Sequence, residues 1–132
     1  MPQPFTLTIR QQSDIEQSRR AARTLALAAG CERADAEAVV LAVSELATNL
    51  LRYAQRGTVS VSVVGEDDAE IRVESRDEGP GIPDLALALC DGYSTGGGLG
   101  SGLPGVKRLM DDFRIESEPA GTLVVAHKRC RR

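Results

Sequence analysis

Gly96-Gly-Gly-Leu-Gly-Ser-Gly102 runs directly into Leu103-Pro104-Gly-Val-Lys-Arg-Leu-Met110. The second half reads as a helix, with Pro104 in its first turn, where a missing N–H costs nothing. The first half is backbone with few side chains. Glycine-rich backbone can bend several N–H groups toward one point, and a helix N-terminus adds partial positive charge. Together they form an anion site suited to phosphates. The plainer reading is a flexible linker, but this stretch lies inside the chain between apolar elements and has no second unit to join.

Downstream, Phe113–Glu118 and Thr122–Lys128 alternate like strands across Pro119-Ala120-Gly121 and predict a final hairpin. Upstream, Asp77–Pro83 holds two glycines and two prolines and must be a loop. Leu85–Cys90 is long enough for a short helix. Thr58–Val64 and Ile71–Arg76 predict a strand pair turning at Glu66-Asp67-Asp68. A helix is expected from about Ala34 to Ala54, with Val39, Val43, Leu46 and Leu50 on one face and Gly57 ending the segment. Another is expected from a Ser13–Glu16 capping box to Ala29, with Gly30 as its C-terminal cap. Phe5–Arg10 reads as a first strand. The order predicts an α/β (α+β) two-layer sandwich, in which a mixed, mostly antiparallel sheet carries helices on one face.

The 132 residues suit one domain over 1–132. Aromatic residues are 3% and Trp is absent, so the core must come from Leu, Val, Ile and Ala. That scarcity argues against a base-stacking platform for single-stranded nucleic acid. A net charge of −3 gives no field to attract a phosphate backbone, so no nucleic-acid partner is expected. Lys128–Arg132 reads as a solvated terminus. No apolar run approaches the roughly 20 residues that span a bilayer, and the N-terminus does not read as a signal peptide. Cys31, Cys90 and Cys130, odd in number and irregularly spaced, fit neither a disulfide framework nor a zinc site. His127 is the sole histidine and reads as a rim residue. A reducing cytoplasm is the simplest compartment.

Two further features carry polar chemistry. Glu45 and Asn49 are four residues apart, so they share one face of the second helix, and Arg52 extends the stripe. Alone, such a stripe reads as the solvated side of an amphipathic helix. Ala38, Leu41 and Ala42 lie near the same face one turn earlier, and a face that turns from apolar to polar suits a cleft wall better. Asp77 closes a strand, where its carboxylate can accept a hydrogen bond from an exocyclic amine such as that of adenine. Gly79 and Gly81 leave the backbone open to a flat base. Taken singly, Asp77–Gly81 is also an ordinary Gly-Pro turn.

Two familiar phosphate motifs are set aside. Gly100-Ser-Gly-Leu-Pro-Gly105 matches GxGxxG formally, but it follows a loop and lacks the chain needed for a βαβ unit. Lys107 follows Val106 rather than the last glycine of the loop, so no Walker A motif is present.

In order and spacing, AVSELATN (42–49), DEGPGIPD (77–84) and DGYSTGGGLGSGLPGVKRLMDDF (91–113) resemble the GHKL, or Bergerat-fold, ATPase and kinase superfamily. The similarity is greatest to the RsbT-like switch serine/threonine kinases of the bacterial stressosome, a group of anti-sigma regulatory factor kinases. It covers over half the chain, and the run Gly98–Asp112 is particular to that group. The resemblance implies that Asn49 binds Mg²⁺ and that Glu45 is, or positions, the general base. It implies that Asp77 accepts from the adenine amine, with Gly79 and Gly81 giving room. Thr122 would support Asp77 through water, and Gly98, Gly100 and Gly102 would bring a lid over the phosphates of ATP. Many members carry a basic residue soon after the asparagine; here only Arg52 can substitute. Lys107 is open to either a phosphate-facing or a surface role.

The function so implied is an ATP-dependent protein serine/threonine kinase that phosphorylates STAS-domain antagonist or scaffold proteins in a stress-signalling pathway. One alternative is an anti-sigma factor that sequesters a sigma factor. Another is a nucleotide-dependent activator of a PP2C-type phosphatase. A histidine-kinase fragment is disfavoured because nothing resembles a phosphoacceptor helix.

Overall fold

A computed structural model describes residues 2–53, 57–65, 69–78, 102–118 and 121–130. The elements are β1 (Phe5–Thr8), α1 (Gln12–Ala28), α2 (Arg33–Tyr53), β2 (Gly57–Val64), β3 (Glu70–Asp77), α3 (Gly102–Leu109), β4 (Asp112–Glu118) and β5 (Gly121–Arg129). The strands form one sheet in the order β1-β2-β3-β5-β4, and all four pairings are antiparallel. The α+β sandwich expected from the element order is thus observed, with no parallel strand pair among the described residues. The short helix expected at Leu85–Cys90 lies outside those residues.

Side-chain alternation decides which face the helices cover. Val59 and Val61 of β2, Ile71, Val73 and Ser75 of β3, and Val124 and Ala126 of β5 all point the same way and are buried. On α2, Val39, Val43, Leu46 and Leu50 recur at helical spacing and pack into the same core, Leu46 being 1% exposed. Burying one such side chain contributes about 1.5–3 kcal/mol. Truncating Leu46 to alanine in a packed core costs about 2–5 kcal/mol. With few aromatics, these aliphatic contacts carry the layer-to-layer packing.

The opposite sheet face is polar. Thr6 and Ser60 share a hydrogen bond there at 2.9 Å, and Glu74 pairs with Arg76 at 2.8 Å and Arg72 at 3.6 Å.

Three local expectations are corrected. The first helix begins at Gln12, and it is capped by a Gln11–Asp14 box, with Gln11 as N-cap and Asp14 at N3, rather than by the Ser13–Glu16 box. The Asp14 carboxylate accepts the backbone N–H groups of Arg10 (2.8 Å) and Gln11 (3.1 Å). The first lies just ahead of the helix and the second is the N-cap donor, which the helix itself leaves unpaired; a carboxylate in the first turn also favours the helix dipole. Gly57 does not end a helix; it opens β2, where Leu50 packs so closely that a Cβ would meet its side chain. Cys31 and Cys130 form a disulfide with a Cα–Cα distance of 4.6 Å. Their separation of 99 residues hides from the sequence what the fold does. The turn after α1 and the residue after β5 meet at one edge of the core.

Candidate nucleotide-binding site

The site is built from the end of β3 outward. Asp77 is the last residue of β3 and, by alternation with Ile71, Val73 and Ser75, lies on the helix-covered face. Its strand partners are Gly57 on one side and Thr122 on the other. Asp77 Oδ1 accepts the backbone N–H of Thr122 at 3.2 Å. Thr122 is 7% exposed, and its hydroxyl is 3.0 Å from that of Ser117, its register partner on β4. The main chain of β5 thus fixes one oxygen of the carboxylate, and β4 engages the Thr122 hydroxyl. A fixed carboxylate at a strand end, half-buried beside a helical wall, is suited to read a hydrogen-bond donor.

Gly121 makes this approach possible. A Cβ there would run into the Asp77 carbonyl oxygen and lie 3.2 Å from the Asp77 carbonyl carbon. Only hydrogen fits where β5 closes on β3. Gly121 and Ser117 are members of the constellation that sequence reading missed. The one available signal was the glycine directly before Thr122; nothing in the local sequence marks Ser117.

The helical wall is α2. Glu45 and Asn49 are both half-buried, Arg52 is exposed, and Ala42 one turn earlier is buried. Leu41 is 47% exposed, so the wall is apolar as well as polar at its rim. The stripe is therefore neither fully solvated nor part of the core, as a cleft wall requires. The order along the structure is continuous: Asn49 adjoins Leu50, Leu50 packs on Gly57, and Gly57 pairs with Asp77. The C-terminal half of α2 and the end of β3 thus share one end of the sandwich.

Gly102 is the first residue of α3, and α3 packs against α2. Its φ of +28° is one that side chains rarely adopt, which suits glycine at the entry to this helix. Lys107 is exposed. Gly79, Gly81, Gly98 and Gly100 lie outside the described residues. Of the expected site residues, the structure brings Asp77 and Thr122 into direct contact. It sets Glu45 and Asn49 on the adjoining helix and Gly102 at the start of a helix packed on it.

Residues 10–128 match the histidine kinase-like ATPase domain family. The chain belongs to this family. It is 42% identical over 105 residues to the serine/threonine-protein kinase RsbT of Bacillus subtilis (strain 168), covering 79% of each chain. It is 32% identical over 97 residues to the anti-sigma F factor of Clostridium acetobutylicum, covering 69% of this chain and 68% of that one. Among solved structures, the RsbU and RsbW domains of a Mycobacterium tuberculosis protein match 98% of this chain with a TM-score of 0.72 at 18% identity. That likeness is one of fold, and this chain spans 33% of the longer one. The α+β sandwich of a GHKL-type ATPase domain is thus the fold of this chain. Among the described residues, no helix is long and apolar enough to cross a membrane.

Proposed function

We propose that this chain is an ATP-dependent protein serine/threonine kinase of the partner-switch type, and that its substrate is a small folded STAS-domain protein. The observation that carries the reading is the 42% identity to a serine/threonine-protein kinase over 79% of both chains. The fixed Asp77–Thr122 contact beside a Glu/Asn helix wall supports it from geometry.

In this reading Asp77 accepts from the adenine 6-amino group, and the Thr122 N–H holds the carboxylate oriented for it. The Thr122 hydroxyl, already beside that of Ser117, extends the same network toward the base through water. Gly79 and Gly81 let the ring approach the backbone. Gly98, Gly100 and Gly102 offer N–H groups to the phosphates ahead of α3. Asn49 presents a hard amide oxygen from a half-buried position, which fits Mg²⁺, a cation that takes oxygen ligands and retains waters. When bound, the ion neutralises charge on the transferring phosphoryl group. Glu45, one turn before Asn49, accepts the proton of the substrate Ser or Thr hydroxyl as the γ-phosphate transfers to its oxygen. The chain as a whole acts as one ATP-binding kinase domain that recognises its substrate by docking.

Incubation with Mg-ATP labelled at the γ-phosphate and a cognate STAS protein tests this directly. Label on a STAS Ser or Thr is expected. Nucleotide bound without transfer would remove the kinase activity from the proposal. The 32% identity to an anti-sigma factor supports a second reading, sequestration of a sigma factor by the same fold. Recovery of a stoichiometric sigma-factor complex would favour it.

A further inference from the structure

The polar face of the sheet, away from the nucleotide site, gathers three metal-ligating side chains that no sequence motif connects. Glu70 opens β3, Asp112 opens β4, and His127 lies near the end of β5. One ligand atom from each lies within 4.8 Å of the other two. The register explains the convergence. Asp112 is the direct cross-strand partner of His127. Arg72 partners His127 from β3, and Glu70, two residues before Arg72, is the diagonal neighbour. Direct partners on one face have Cβ atoms about 5 Å apart, and diagonal ones remain within reach of long side chains. His127 is not the isolated rim residue its sequence suggests.

We infer that Glu70, Asp112 and His127 form a surface site for a first-row divalent transition-metal ion such as Zn²⁺. The donor set selects the ion. Imidazole suits zinc, copper and nickel, whereas magnesium and calcium take oxygen. Three protein ligands leave a position for water, as in open zinc sites. Bond lengths of about 2.0–2.2 Å place tetrahedral ligands roughly 3.3 Å apart. The side chains must therefore close by roughly 1.5 Å, and they are half-buried (Glu70, His127) or exposed (Asp112), free to turn on a rigid three-strand base.

The neighbouring charges are Arg129, whose Nη1 is 3.7 Å from Asp112 Oδ2, and Arg72, which pairs with Glu74. The Arg129 contact is long and exposed and engages one oxygen, so Asp112 keeps its other oxygen for a metal. No other ion pair or hydrogen bond engages the Glu70 carboxylate or the His127 ring among the described residues. Glu70 and Asp77 stand at opposite ends of β3, roughly 23 Å apart at strand rise, and point to opposite faces. The site is therefore separate from the one that holds the proposed nucleotide.

His127 is the only histidine, so its ring nitrogens give an unambiguous spectroscopic report. The nucleotide-free, chelator-treated chain, with Cys90 replaced by serine so that its thiol cannot compete, is titrated with Zn²⁺ by calorimetry and by ¹⁵N NMR of the imidazole. One equivalent is expected to bind, shift a His127 ring nitrogen and raise the melting temperature. His127→Gln and Asp112→Asn are each expected to weaken binding by about tenfold or more. Mg²⁺ is expected to leave the ring signals unmoved. Ring signals that do not respond to Zn²⁺, or an affinity unchanged in both variants, would overturn the inference. The imidazole spectrum of the parent chain decides the matter even if a variant folds poorly.

Discussion

The backbone N–H of Thr122 points at Asp77 Oδ1 across 3.2 Å, joining the last residue of β3 to the second residue of β5. A main-chain donor cannot be removed by changing the Thr122 side chain, so the carboxylate's orientation is a property of the sheet itself. The threonine hydroxyl is thereby released to Ser117 and to any water beyond it.

Asp77→Asn replaces a charged acceptor with a neutral amide of the same shape. Hydrogen bonds to charged groups contribute about 1.5–3 kcal/mol, so ATP affinity should fall by about tenfold to a hundredfold. The melting temperature should change little, because the sheet ladder does not depend on the charge. Calorimetric titration with ATP and with GTP checks both the loss and the base preference.

Gly121→Ala should be more damaging than its size suggests. Its Cβ meets the Asp77 carbonyl oxygen, which is backbone and cannot rotate away. The strands must part at the point where Asp77 is held. A destabilisation of about 1–3 kcal/mol, seen in chemical denaturation, should accompany loss of nucleotide binding. Unchanged stability would show that the β3–β5 closure is looser than described.

Glu45→Gln keeps the shape of the helix wall and removes the carboxylate proposed as proton acceptor. Phosphotransfer should drop by about 10²- to 10⁴-fold with ATP affinity nearly unchanged. Single-turnover labelling and equilibrium binding, measured on the same protein, separate the two effects. Full transfer by this variant would remove Glu45 from the base role.

Reduction of Cys31–Cys130 should lower stability without moving the proposed nucleotide site. Closing a loop of 99 residues restricts the unfolded chain by about 4.7 kcal/mol in the chain-entropy account, an upper figure for such bonds. Denaturation with and without reductant, set beside Cys31→Ser, measures it. Equal midpoints would mean the bond adds no constraint.

The Arg23–Glu37 pair fastens α1 to α2, with contacts at 2.8 and 3.2 Å. The hydrogen bond from Arg23 holds the Glu37 carboxyl below its usual range. A carboxylate lowered in the folded state stabilises fully above its unfolded pKa and loses that contribution as pH falls through the folded value. A double-mutant cycle with Arg23→Ala and Glu37→Ala should therefore show coupling at pH 7 that fades as the pH falls through the lowered pKa of the Glu37 carboxyl. Because the Arg23 and Glu37 side chains are 39% and 43% exposed, added salt should shrink it too.

The elements were legible where their signals were local. Alternation marked β2 to within one residue, and the periodicity of Val39, Val43, Leu46 and Leu50 marked α2. The helix start lies two residues earlier than Ser13 suggests because Gln11 takes the N-cap position, with Asp14 as its partner at N3, and glutamine is a weaker cap signal than serine. Cys31 with Cys130, Ser117 with Thr122, and Glu70 with His127 are all pairings across strands or elements. Each depends on register, and register is fixed only when the whole sheet assembles. The Glu45/Asn49 stripe and Asp77 could be singled out from residue type and position, whereas the contact that orients Asp77 could not.

The placement of β5 between β3 and β4 has a temporal consequence. Asp77 leaves the ribosome long before its stabilising N–H, which is 45 residues younger. Until β5 slots into the gap, β3 has one open flank and the Asp77 carboxylate lacks the Thr122 N–H. If Asp77 reads the base as proposed, a nascent or truncated chain lacking the segment from residue 121 onward should be blind to nucleotide, so competence arrives at a single late moment of synthesis rather than gradually.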